Sequence, residues 1–127
     1  MRSNGRGFNG RMEAPTLISR IDVAQLGPTR YVLTVGPDAA ACAVKDVLYP
    51  LSAHEGASVV VDLQAAATLD PSLLGILMGG AHLIRGTGGE LIVVTRSPRV
   101  RWLLDDSGLA RVARVERTLN HALAIVA

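Results

Sequence analysis

The chain has 127 residues, enough for one domain with a substantial hydrophobic core. Hydrophobic residues make up 49% of it and aromatics only 3%, so small aliphatic side chains must build that core, and there are too few aromatics to stack nucleic-acid bases. The formal charge of +2 is concentrated in the first eleven residues, where Arg2, Arg6 and Arg11 meet no acid. The remainder carries 10 basic against 11 acidic side chains, a balance that excludes a strongly basic DNA-binding surface.

Residues 1–15 are rich in Gly, Asn and Arg and lack periodicity, so they read as a disordered tail ahead of a single domain spanning 16–127. No apolar stretch lies among residues 1–11, which argues against a secretory signal there. Cys42 is the sole cysteine, which excludes an intramolecular disulfide framework and a cysteine-rich metal site. A reducing, cytoplasmic setting is expected. The longest apolar run, Leu73 to Ile84, is shorter than the about 20 residues that cross a bilayer, so no membrane span is expected.

Along the chain, "TLISRIDVAQL" (16–26) alternates apolar and polar residues as a strand does. Gly27-Pro28-Thr29 is a turn, and "RYVLTV" (30–35) is a second strand expected to lie antiparallel to a neighbour. Gly36-Pro37 breaks the chain, and Asp38 is placed to cap a helix running to about Ala53, with Val44, Val47, Leu48 and Leu51 on one face. "SVVVDL" (58–63) has the continuous apolar run of a strand buried on both faces.

The next segment, "LDPSLLGILMGGAHLIRG", carries a clear helix start. Asp70 is a favoured N-cap, and Pro71 falls at the first helical position, where its missing N–H costs nothing. Ser72 therefore lies in the first turn, at the positive end of a helix reaching about Arg85. "LIVVT" (91–95) is another buried strand. Ser97-Pro98 repeats the cap-then-proline device for a helix to about Asp106, which Ser107-Gly108 ends. A short strand is expected within 110–115, and a last helix from Thr118 aligns Leu119, Ala122, Leu123 and Val126. Strands alternating with helices predict an α/β fold with a mixed, mainly parallel β-sheet flanked by about four helices.

Catalytic patterns are absent. "GTGGE" follows a helix and enters a strand, the reverse of a phosphate-cradling loop, and reads as a turn. Ser72 lacks the G-x-S-x-G elbow of a hydrolase, and His82, ten residues along the same helix, lies roughly 15 Å away. His54, His82 and His121 show no ligand spacing, so no metal and no cofactor are expected. Arg96, Arg99, Arg101, Arg111, Arg114 and Arg117 are interrupted by Asp105, Asp106 and Glu116, the pattern of an ordinary solvated face. The chain is not expected to be an enzyme.

The order of three segments is more informative than any single motif. "VVVDLQAAATLDPSLLGIL", then "GGELIVVTRSPRVRWLLDDSGLARVARV", then "TLNHALAIV" resembles the STAS domain family, and among its members the bacterial anti-sigma factor antagonists. The resemblance implies a protein that binds an anti-sigma factor, itself a serine kinase, and thereby releases a sigma factor. It further implies that the kinase inactivates the antagonist by phosphorylating the serine at this helix start, here Ser72, and that a serine phosphatase resets it. Asp70 matches the family's capping acid and Asp62 its acid at the end of the preceding strand. Asp38, Asp62, Asp70, Pro71, Ser72 and Leu73 are accordingly the expected partner-binding positions, with no direct DNA contact and a homodimer left open. The sequence departs from the family where Pro71 replaces Ser or Thr, where Leu73 replaces Gly and adds bulk beside the hydroxyl, and where the acid after Gly36 is displaced by one. These departures keep two alternatives open: a module that binds its partner without phosphorylation, and a subunit docked on an ABC-transporter ATPase.

Overall fold

The computed structural model describes residues 21–126. The expected tail over 1–15 and the start of the first strand at Thr16 lie outside the described residues. Within them the chain forms β1 (Ile21–Gly27), β2 (Arg30–Val35), α1 (Ala41–Ser52), β3 (Ser58–Asp62), α2 (Pro71–Gly86), β4 (Glu90–Val94), α3 (Pro98–Asp106), a 3-10 turn (Leu109–Arg111), β5 (Arg114–Glu116) and α4 (Leu119–Val126).

The five strands lie in sheet order β1-β2-β3-β4-β5. β1 and β2 form the antiparallel hairpin around Pro28-Thr29, while β2, β3, β4 and β5 pair in parallel. Each parallel step moves one strand further in the same direction. Crossovers of a single hand therefore deposit their helices on one face of the sheet. The packing agrees: Leu33, Val59, Val61, Leu91 and Val93 meet Val44 and Leu48 of α1, Leu73, Leu77 and Ile84 of α2, and Val100 and Leu104 of α3. The alternate residues Val32, Val60, Ile92 and Val94 point the other way and are covered by Ala122 and Val126 of α4. With both faces covered, β3 and β4 are apolar without alternation, as the sequence predicts.

Two local expectations are corrected. Asp38 does not cap α1: the helix starts at Ala41 behind Ala40, which makes no side-chain capping bond. Pro37 instead favours a turn, closed by the Ala39 amide donating to the Gly36 carbonyl at 3.3 Å, and Asp38 sits exposed within it. The last strand is also shorter and later than 110–115. Gly108 adopts φ 86°, and from this left-handed position the chain enters the 3-10 turn that buries Leu109 completely. Only Arg114–Glu116 is left to pair with β4.

Close contact between α1 and α2 depends on small residues. A Cβ added to Gly80 would stand 2.7 Å from the Leu48 Cδ2 atom, and Leu48 is fully buried. The buried Leu48 side chain would have to shift within the core to admit the added methyl. Gly80→Ala is expected to destabilise the fold by about 1–3 kcal/mol, the usual range for overpacking a core, measured as a shift in the urea midpoint without a change in slope.

Candidate functional site

The parallel strands bring their carboxyl ends to one edge of the sheet, and α1, α2 and α3 all begin there. Loops on that edge carry most of the residues singled out from the sequence. It is the usual location for sites in parallel α/β sheets.

At the start of α2 the expected geometry is present. The Asp70 backbone is extended, its Oδ1 accepts from the Leu73 amide at 2.8 Å, and Pro71 occupies the first turn. The Leu74 amide donates to the Asp70 carbonyl at 3.1 Å, opening the helical ladder. Pro71 has no N–H, so Ser72 contributes the first-turn amide left without a protein acceptor among the described residues. Ser72 itself is exposed. Only the Ser72 amide of this helix start is unused, so a phosphate on the exposed Ser72 would find one backbone donor and otherwise remain at the surface.

Leu73 departs from the expectation that it crowds Ser72. Its side chain turns into the core and is only 7% exposed, so its bulk lies beneath the helix. Pro71 stays exposed beside Ser72 and Asp70. Gly75, one turn after Ser72 and therefore on its face, is exposed, and a Cβ placed on it would have no neighbour within 4 Å. Among the described residues nothing requires that glycine, and in the sequence it stands out only as part of the helix-start pattern.

Asp62 is not gathered into this cluster. Register places Thr34, Asp62, Val94 and Glu116 in one row across the sheet, and Val94 belongs to the α4 face. Asp62 thus lies on the face opposite α2, is buried, and turns onto its own loop. Its Oδ1 accepts from the Gln64 amide at 2.9 Å and its Oδ2 from Gln64 Nε2 at 3.3 Å. The carboxylate shapes the exit from β3. Ser97 caps α3 by accepting from the Val100 amide at 3.2 Å, and its hydroxyl donates to the Ala67 carbonyl at 3.4 Å, joining the α3 start to the loop before α2.

The arginines of the C-terminal third divide between the two ends of the sheet. Arg96, Arg101 and Arg117 line a groove at the carboxyl edge, beside Thr95 and the start of α4. Arg111 and Arg114 line a shallower depression at the opposite edge together with Arg85. There Arg114 Nε bonds Glu90 at 2.9 Å, and this hydrogen bond, reinforced by the Glu90 charge, holds the guanidinium above its ordinary pKa. Among the described residues no group of three or more His, Cys, Asp or Glu could hold a metal ion, and no helix is long and apolar enough to cross a membrane.

The family model for the STAS domain matches residues 38–122. The chain belongs to the STAS domain family. One relative, named anti-sigma F factor antagonist, from Paenibacillus polymyxa, is 39% identical over 54 residues, covering 42% of this chain and 46% of that protein. The matched stretch thus spans about half the length of that relative. Among solved structures, an anti-sigma factor antagonist from Mycobacterium paratuberculosis superposes with a TM-score of 0.69 at 25% identity, over 91% of this chain and 98% of its own. The anti-sigma factor antagonist SpoIIAA in its unphosphorylated form gives a TM-score of 0.70 at 17% identity, over 84% of this chain and 96% of that one. The mixed five-stranded sheet with four helices is the STAS fold.

The Asp70 carboxylate is the side-chain cap at the N-terminal end of α2 in this STAS domain. Asp70→Ala is expected to lose about 1 kcal/mol of stability, whereas Asp70→Asn keeps most of it; urea denaturation of the two variants beside the parent checks this.

Proposed function

We propose that this STAS domain is an anti-sigma factor antagonist that binds an anti-sigma factor of the serine-kinase type, releases a sigma factor, and is switched at Ser72. The observation that carries this reading is the exposed Ser72 hydroxyl in the first turn of α2, behind the Asp70 cap. The names of the relatives support the same reading. Asp38, Asp70, Pro71 and Ser72 form its contact surface, while Asp62 and Leu73 act from beneath by fixing the loop and seating the helix. A serine phosphatase is the partner that would reset the switch.

The mechanism follows from charge and solvent. A phosphate brings roughly −1.5 to −2 charge. With the Leu73 and Leu74 amides engaged and only the Ser72 amide free among the described residues, most of that charge stays where a partner must pack and would have to be stripped of water. Binding is lost while the fold is kept. Gly75 extends the surface by one turn: a glycine in an exposed helix interior sacrifices about 0.5–1 kcal/mol relative to Ala, and close approach of a partner's backbone accounts for its presence.

Pro71 favours a second reading, in which the domain binds its partner without phosphorylation. It is exposed immediately before the target hydroxyl and rigid in φ, so a kinase must accept a restrained substrate.

The test uses the anti-sigma kinase recovered with the purified chain. Ser72→Glu is expected to weaken binding at least about tenfold, or about 1.4 kcal/mol, and to remain folded because a first-turn carboxylate suits the helix dipole. Ser72→Ala should bind like the parent and accept no phosphate. Undiminished binding by Ser72→Glu, with label on another residue, would sink the switch. Pro71→Ser then decides for the second reading if it still leaves Ser72 unlabelled. Separately, Gly75→Ala is expected to stabilise the fold by about 0.5–1 kcal/mol and to weaken the complex, measured by denaturation and calorimetry.

A further inference from the structure

The switch proposed at Ser72 uses none of Arg96, Arg101 and Arg117, which line a groove on the same edge of the sheet. Two adjoining depressions, of about 290 and 440 Å³, make up this groove; both are lined by Arg96, Arg101 and Arg117. Thr95 and Pro98 close one end, and Glu116, Thr118 and His121 line the other. Arg96 and Arg117 make no ion pair among the described residues. Arg101 is held only by Asp105, at 3.3 Å on the same helix, with both side chains about half exposed. Such pairs are weak and exchange readily for a stronger acceptor.

A second observation points to an acceptor ligand. Thr95 is only 3% exposed yet lines the groove. Its hydroxyl oxygen accepts from the Ser97 amide at 3.2 Å, but its proton has no acceptor among the described residues. A buried hydroxyl proton without a partner is costly unless a ligand takes it.

We infer that the groove of Arg96, Arg101 and Arg117, with the Thr95 hydroxyl at its end, binds the phosphate group of a small molecule. Three guanidinium groups against the lining carboxylate Glu116 and the Asp105 partner of Arg101 leave a net positive charge of +1, which attracts a phosphate anion. Arginine forks suit phosphate oxygens geometrically, and each such bond is charge-assisted. Both α3 and α4 begin beside the groove, with Thr118 accepting from the His121 amide at 3.1 Å, so the nearby helix ends are the positive ones. The basic depression at the other edge lacks this advantage. It adjoins the carboxyl end of α2, and its Arg114 is already committed to Glu90.

The experiment titrates the purified chain with inorganic phosphate and, separately, with glycerol 3-phosphate, following backbone amides by NMR at constant ionic strength against chloride. Saturable shifts at Thr95, Arg96, Arg117 and Thr118 are expected with at least one of the two probes. Tighter binding of the ester identifies a phosphomonoester as the source, and tighter binding of inorganic phosphate identifies the free anion. Arg96→Gln and Arg117→Gln, both changes at exposed side chains, should each weaken binding about tenfold, the lower end for loss of a charge-assisted bond. Arg111→Gln, in the other depression, should leave it unchanged. The inference is overturned if neither probe saturates, if chloride produces the same shifts, or if Arg111→Gln costs as much binding as Arg117→Gln.

Discussion

Parallel pairing of β2, β3, β4 and β5 is the constraint on which the rest of the molecule depends. Strands that run the same way need a return path, and here every return path is a helix. The strands end together, so the helices start together. One edge therefore collects exposed loops, capping side chains and positive helix ends, while the other collects helix carboxyl ends and the Gly88-Gly89 turn. Ser72 and the Arg96–Arg101–Arg117 groove are on the same edge for this topological reason, joined by the bond from Ser97 to the Ala67 carbonyl.

The sheet also explains why two carboxylates near α2 have different work. Asp70 belongs to the loop that climbs onto the helix-bearing face, and it satisfies a helix amide. Asp62 is the last residue of a strand, and alternation turns it to the α4 face. Eight positions apart in sequence, they serve opposite faces of the sheet. Each is fixed by hydrogen bonds to its own neighbourhood, so the approach to α2 is shaped by backbone geometry that the exposed side chains then decorate.

How much of this is legible in the sequence depends on the range of the interaction. Asp70-Pro71 and Ser97-Pro98 announce their helices because a cap acts within one helical turn. The valines of β3 and β4 are legible because burial on both faces leaves no alternation. Asp38 misleads because its capping propensity competes with a proline turn one residue earlier, and the turn prevails. The final strand is displaced because Gly108 diverts the chain into a turn whose Leu109 is needed in the core. Leu73 cannot be oriented without knowing which way α2 faces the sheet. The six arginines read as one diluted run, since strand and helix directions, not sequence spacing, decide which of them meet.

The uneven pairing of the sheet has a dynamic consequence. β3 is held by five register pairs on each side, whereas β5 is held to β4 by three, and α4 packs its buried residues on Val32, Val60, Ile92 and Val94 of the neighbouring strands. Local opening starts where few contacts must be broken, so β5 is the strand expected to open before β3 and β4. The two ends of the carboxyl edge are therefore anchored differently: Ser72 stands on a helix packed over the central strands, and Arg117 directly follows the strand with the fewest register pairs.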